Sequence, residues 1–183
     1  MAPALAFECK LDPLDGSRRV DLGGGVGDVY LVGCKFRLSL GNAGDRPITI
    51  DSMRVHVEAE DLLPVSFPER NRNYGAALRA HQLFIEVGRS RFSGWWMLAD
   101  SSETRGERRT LSGASDELFV SPGAPRMRFA IEPGQSESIE GAILATEPGL
   151  YAVRLAAVAT APGSNPVARG TSAIRLCFAE PRQ

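Results

Sequence analysis

The side chains able to do chemistry are few, and their spacing does not gather them. Two histidines, His56 and His81, and three cysteines, Cys9, Cys34 and Cys177, are scattered over 183 residues. Nucleophilic catalysis needs an activated nucleophile with a base beside it. Ser90 has Gly88 before it but Phe92 after it, so no G-x-S-x-G elbow forms. His56 falls on the strand parity opposite Val55 and Val57, which places it on a wet face. Cys34 falls on an apolar parity, where thiols are normally inert. Glu58 and Glu60 are same-face strand neighbours and read as a solvated edge rather than an acid–base couple. Gly23-Gly24-Gly25-Val26-Gly27 lacks both a following Gly-Lys-[ST] and the G-x-G-x-x-G spacing, and a strand follows it instead of a helix. It reads as a flexible turn. No H-E-x-x-H, EF-hand loop or C-x-x-C is present. The sequence therefore predicts no catalytic residue, no metal site and no cofactor. An enzyme would need groups from distant strands, such as a pocket lined by His81, Glu86 and Cys9.

Two features resist a bland reading. Trp95 and Trp96 are the only tryptophans and are adjacent. On a strand they point to opposite faces, so one serves a core and the other needs a cover or a partner. Between Arg70 and Arg109 there are eight arginines against four acids, Glu86, Asp100, Glu103 and Glu107, in a chain of formal charge −1. Arginine and tryptophan are the residue types that anchor protein interfaces. The candidate interaction residues are Arg89, Arg91, Trp95, Trp96, Arg105, Arg108 and Arg109.

The elements that must position these residues show period-two alternation between turns. Tyr30, Val32, Cys34, Phe36, Leu38 and Leu40 alternate with more polar neighbours and end at Gly41-Asn42-Ala43-Gly44-Asp45, a turn rich in residues that tolerate positive φ. Ile48 and Ile50 restart the pattern. Its parity slips at Asp51-Ser52 before Met53, Val55 and Val57, which predicts a bulge or bend. Residues 61–80 read as a loop. Leu83, Ile85 and Val87 form one strand face, and Phe92 to Leu98 another strand. Residues 99–115 have no apolar period and read as a mobile loop. Met127, Phe129 and Ile131, then Ile139 and Ile143, then Tyr151, Val153 and Leu155, then Ile174, Leu176 and Phe178 mark the last strands. Turns at Glu132-Pro133-Gly134, Glu147-Pro148-Gly149 and Pro162 to Pro166 separate them. The best helical stretch, Tyr74 to Leu83, is short. The expected fold is a single all-β domain over 1–183, an antiparallel two-sheet sandwich with long loops in its middle third.

Glu147-Pro148-Gly149-Leu150-Tyr151-Ala152-Val153 resembles the tyrosine corner of immunoglobulin-like sandwiches. Phe36 to Ile48 is similar to the B–C corner of bacterial Ig-like domains. The resemblance implies that the Tyr151 hydroxyl bonds back to the backbone and that Val153 faces inward. Val153 stands where antibody domains carry the strand-F cysteine, so no inter-sheet disulfide is implied. Met53 or Val55 would fill the space of the strand-C tryptophan.

Composition bounds the rest. Apolar residues are 43% and charged residues 23%, which is ordinary globular usage. The near-neutral charge announces neither nucleic acid nor an anionic membrane as partner. Only Lys10 and Lys35 are lysines among 21 basic residues, the usage of high-GC bacterial genomes. No apolar run approaches the ~18 residues of a membrane span. The opening residues, with Glu8 and Lys10, do not read as a signal peptide. Three unpaired cysteines and a cytoplasmic location are expected. The function these features favour is a non-enzymatic protein-interaction module, a subunit or adaptor of a larger bacterial assembly. The alternative is a carbohydrate- or ligand-binding sandwich in which Trp95 or Trp96 stacks on a sugar.

Overall fold

A computed structural model describes residues 3–14, 18–21, 27–60, 83–88, 91–97, 104–110, 115–120 and 129–178. The described residues form strands and connections and contain no helix. The strands are β1 (Leu5–Pro13), β2 (Arg19–Asp21), β3 (Asp28–Leu31), β4 (Gly33–Asn42), β5 (Ile48–Glu60), β6 (Leu83–Val87) and β7 (Arg91–Met97). They continue with β8 (Thr104–Thr110), β9 (Ser115–Val120), β10 (Phe129–Ile131), β11 (Ser136–Ala145), β12 (Gly149–Thr160), β13 (Val167–Gly170) and β14 (Ile174–Phe178).

Two open sheets result. The first runs β1-β4-β11-β6-β7-β8. The second runs β10-β5-β12-β14-β3-β2, with β13 also on β12 and β9 also on β5. The expected antiparallel-only arrangement is corrected at two places. Strand β6 pairs with β11 in parallel, and β14 pairs with β3 in parallel. Both are non-sequential pairings, which alternation along one strand cannot reveal.

The period-two residues meet between the sheets. Cys34, Phe36, Leu38 and Leu40 from β4, Leu83, Ile85 and Val87 from β6, and Ile139 and Ile143 from β11 pack with Met53, Val55, Val57, Tyr151, Val153, Leu155, Ile174 and Leu176 from the second sheet. At roughly 1.5–3 kcal/mol for each large apolar side chain removed from water, this shared core is the main stabilising term.

The run from Tyr30 to Leu40 is two strands rather than one. It breaks at Val32, which has a φ of 67°. A β-branched residue at that angle is an outlier. The break lets the chain leave the second sheet and enter the first. Val32 joins both, since its N–H donates to the Cys177 carbonyl (2.8 Å) and its carbonyl accepts from the Ala145 N–H (2.7 Å). Its side chain packs with Leu14, Ala142 and Leu144 outside the main core.

The parity slip at Asp51-Ser52 is a bulge. Val158 faces Ser52 while Ala159 faces Ile50, leaving Asp51 as the extra residue. Its carboxylate accepts a 2.7 Å hydrogen bond from the Thr160 hydroxyl. The slip is also where the other neighbour of β5 changes, from β10 over 48–50 to β9 over 53–58.

The turn after β4 uses no positive φ at Gly41 or Gly44. The buried Asn42 side chain shapes it instead. Its Nδ2 donates to the carbonyls of Arg46 (2.7 Å) and Ile131 (2.9 Å), and its Oδ1 accepts from the Gly44 N–H (2.9 Å). Burying a polar side chain is tolerable only when it is hydrogen-bonded in this way.

Residues 104–110 form β8, which corrects the reading of 99–115 as one loop. A strand with no apolar alternation gives no sequence signal, and pairing with β7 supplies its order. The expected 61–80 loop and most of the Tyr74–Leu83 helical stretch lie outside the described residues, and Leu83 begins β6.

Candidate interaction face

Strands β6, β7 and β8 make consecutive antiparallel hairpins at one end of the first sheet, with β8 as its outer strand. Register settles which positions share a face, because directly opposed residues lie on the same side. Leu83, Ile85 and Val87 belong to the core and oppose Trp96, Gly94 and Phe92. Those three in turn oppose Arg105, Glu107 and Arg109 on β8. The other side of the sheet carries positions Phe84 and Trp95, with Trp95 opposite Gly106 and Ser93 opposite Arg108. Arg91, opposite Thr110, shares that side.

The hairpin thus divides the candidate residues. Positions Trp95, Arg91 and Arg108 lie on the side away from the core. Positions Trp96, Arg105 and Arg109 lie on the core side, toward the sheet's end. Arg89 lies outside the described residues. The expectation that the two tryptophans serve opposite faces holds at the level of register. A single face carrying every named arginine does not follow from that register.

Two of the residues that an enzymatic pocket would need stand apart. Cys9 stands on β1 and Glu86 on β6, three strand spacings apart in the first sheet, about 14 Å at the usual spacing. His81 is outside the described residues, so no described pocket joins the trio. His56 is half-buried on β5, opposed to Arg154 on one side and Glu117 on the other. All three thiols are free. Burial pushes the Cys9 thiol up to about 11 and raises Cys177. Cys34, fully enclosed, is raised further, chiefly by burial and secondarily by Cys9. A thiol held in its neutral form is a poor nucleophile and a poor metal ligand. Among the described residues no group of three His, Cys, Asp or Glu side chains stands close enough to hold a metal ion. A hollow of about 40 Å3 lies between Pro3, Asn42, Asp45, Arg46 and Pro162. It has room for a water molecule or two.

Ion pairs decorate the surface. Arg37 Nε and Nη2 both reach Glu140 Oε1 across β4 and β11, at 3.0 and 2.5 Å. Arg154 meets Glu58 at 3.8 Å, and Arg19 meets Asp28 at 3.5 Å. Exposed pairs of this kind contribute about 0–1 kcal/mol each. Glu58, expected at a solvated edge, instead stands between two strands, opposite Ala152 of β12 and Ser115 of β9, because non-sequential pairing flanks β5 on both sides there.

Sequence reasoning missed the opposite edge of the same sheet. Strand β1, Leu5–Pro13, pairs only with β4 among the described residues, and β13 of the second sheet runs close to it. Its alternation, Leu5, Phe7, Cys9 and Leu11 against Ala6, Glu8, Lys10 and Asp12, was available as a signal. Charged residues inside a short apolar N-terminal run hid it.

No helix among the described residues is long and apolar enough to cross a membrane. No family model matches the chain, and no curated protein sequence does. Solved structures align with it over nearly its whole length at low scores. A Northeast Structural Genomics Consortium target solved by X-ray crystallography aligns at 8% identity and a TM-score of 0.42, covering 97% of this chain and 88% of the other. The putative ApaA protein from Bordetella pertussis aligns at 10% identity and 0.40, covering all of both chains. The sporulation control protein Spo0M from Bacillus subtilis aligns at 10% identity and 0.39, covering 97% of this chain and 50% of that one. At these scores the likeness carries no functional argument, and the strands and their pairings define the chain as all-β and sandwich-like, with two mixed sheets.

Proposed function

We propose that the protein is a non-enzymatic interaction module with an Ig-like sandwich as scaffold, acting as a cytoplasmic subunit or adaptor in a bacterial assembly and binding its partner through the β7–β8 hairpin. The observation that carries the reading is the register at the end of the first sheet. It collects positions Trp95, Arg91 and Arg108 on the side that the core does not use. Tryptophan and arginine are the residue types that most often anchor protein interfaces. The Tyr151 contact to the Glu147 carbonyl supports the Ig-like scaffold.

An acidic partner surface fits the local excess of arginine, with association that slows as salt rises. The test compares capture from source lysate by wild type, by Arg91→Glu with Arg108→Glu, and by Arg105→Glu with Arg109→Glu. The first pair should abolish capture while leaving the melting temperature unchanged, and the second should weaken it less. Equal capture by all three proteins would overturn the assignment.

A further inference from the structure

The edge of β1 turned away from β4 forms no strand ladder among the described residues. The Ala43 N–H donates to the Ala4 carbonyl at 2.9 Å, and the Leu14 N–H donates to the Gly33 carbonyl at 3.4 Å. Both pairs extend the β1–β4 register, in which Leu5 opposes Asn42 and Pro13 opposes Cys34. In an antiparallel ladder the residues that exchange hydrogen bonds alternate. The even residues of β1 therefore spend their backbone groups on β4. The odd residues, Leu5, Phe7, Cys9 and Leu11, aim their N–H and carbonyl groups away from β4. Among the described residues no backbone group bonds to them there. The side chains of Phe7, Cys9 and Leu11 pack against the core and remain only half-buried, as they must at a border.

We propose that two copies of this chain associate by antiparallel pairing of their β1 edges about a two-fold axis at Cys9. The central terms of that pairing, from Phe7 to Leu11, are complementary, while at its ends Leu5 opposes Pro13 of the second copy, which has no N–H to donate. Cys9 opposes Cys9 of the second copy, and Phe7 opposes its Leu11. These are odd residues, so the groups already aimed outward form the new hydrogen bonds. The same register sets Glu8 opposite Lys10 of the second copy, and Lys10 opposite its Glu8. These even positions are the non-bonded pairs, whose side chains approach most closely. Glu8 and Lys10 are 65% and 72% exposed and meet within one chain at a loose 3.8 Å, so both are free to turn to a partner. Pairing would bury the half-exposed Phe7, Cys9 and Leu11 and join the two six-stranded sheets into one. A second copy is the occupant because the sequence Phe7-Glu8-Cys9-Lys10-Leu11 is complementary to itself read backwards. This association is independent of the β7–β8 hairpin, which lies at the far end of the same sheet.

The competing reading is an edge guarded against pairing by its charges and by Pro13. Light scattering on the purified chain separates the two. Wild type should be a dimer in the micromolar range. Glu8→Lys and Lys10→Glu each replace two opposite-charge pairs by two like-charge pairs, and each should weaken dimerisation about tenfold or more. Their equimolar mixture should recover wild-type association, because a β1 edge carrying two lysines fits a β1 edge carrying two glutamates. The double variant Glu8→Lys/Lys10→Glu should also dimerise. Both positions are exposed, so folding is not at stake. Amide exchange gives a second readout, in which the Phe7, Cys9 and Leu11 amides gain protection as concentration rises. A monomeric wild type would overturn the proposal. So would single variants that dimerise as wild type does, or a mixture that stays monomeric.

Discussion

Tyr151→Phe removes the hydroxyl that ties the start of β12 to the turn before it. The ring is fully buried, and its hydroxyl donates to the Glu147 carbonyl at 3.0 Å. Glu147 precedes Pro148, whose nitrogen carries no hydrogen, so the turn is short of backbone donors. Gly149 is required by the same contact, since a Cβ there would lie 2.9 Å from the Tyr151 hydroxyl and 3.0 Å from Cζ. A hydrogen bond of this kind contributes about 1 kcal/mol net, and more when the abandoned acceptor stays dry. A loss of about 1–2 kcal/mol is expected. For a chain of this size that corresponds to a fall in melting temperature of roughly 2–8 °C.

Calorimetry of Tyr151→Phe, Gly149→Ala and the double variant tests the geometry as well as the energy. Gly149→Ala should destabilise wild type, because the new methyl meets the hydroxyl. It should cost less in the Tyr151→Phe background, where that nearest atom is gone, so the two changes should not add. An unchanged melting temperature in Tyr151→Phe would refute the buried-acceptor reasoning. Additive losses would refute the steric link between Gly149 and the ring.

Asn42→Asp should destabilise by about 2–4 kcal/mol, because it turns a double donor toward the Arg46 and Ile131 carbonyls into an acceptor, read by urea denaturation. Gly141→Ala should cost about 1–3 kcal/mol, since its methyl would overlap the Phe36 ring and lie 2.5 Å from the Leu83 carbonyl oxygen. Stability should fall as pH rises above 9, where unfolded thiols ionise while folded Cys9, held up to about 11, and Cys34, higher still, keep their protons. Below that pH the contribution is fully present, and Cys34→Ala should flatten the alkaline decline in melting temperature.

Much of the core was legible because one physical rule produced it. Wherever one sheet face is packed and the other is wet, hydrophobicity alternates, and Leu83, Ile85, Val87, Tyr151, Val153 and Leu155 all followed the rule into the core. The Asp51 bulge was legible for the same reason, since an extra residue must reverse the alternation. Strand β8 was not, because Thr104–Thr110 has no apolar period, and only its neighbour reveals it. The two E-P-G turns mark a different limit. Gly134 takes a positive φ of 73° in its turn, whereas Gly149 begins a strand and makes room for Tyr151. The same three letters answer two separate needs, one of backbone angle and one of space.

Val32 shows why sheet membership escapes a sequence reading. Tyr30 and Cys34 share a parity and both reach the main core, so an uninterrupted strand and a broken one predict the same burial for them. The difference lies in which strands their backbones meet, and a side-chain pattern carries no record of it. The candidate site has the same character. Residue types nominated Trp95 and the arginines, but only pairing with β6 and β8 assigns each position to a face. Strand β1 adds the converse case. Its Glu8 and Lys10 look like ordinary solvated charges until the β4 register shows that Phe7, Cys9 and Leu11 aim their backbone groups away from β4, where no described strand pairs with them. Function on a sandwich of this kind then depends on register, because register decides which side chains stand together and which backbone groups remain to be paired.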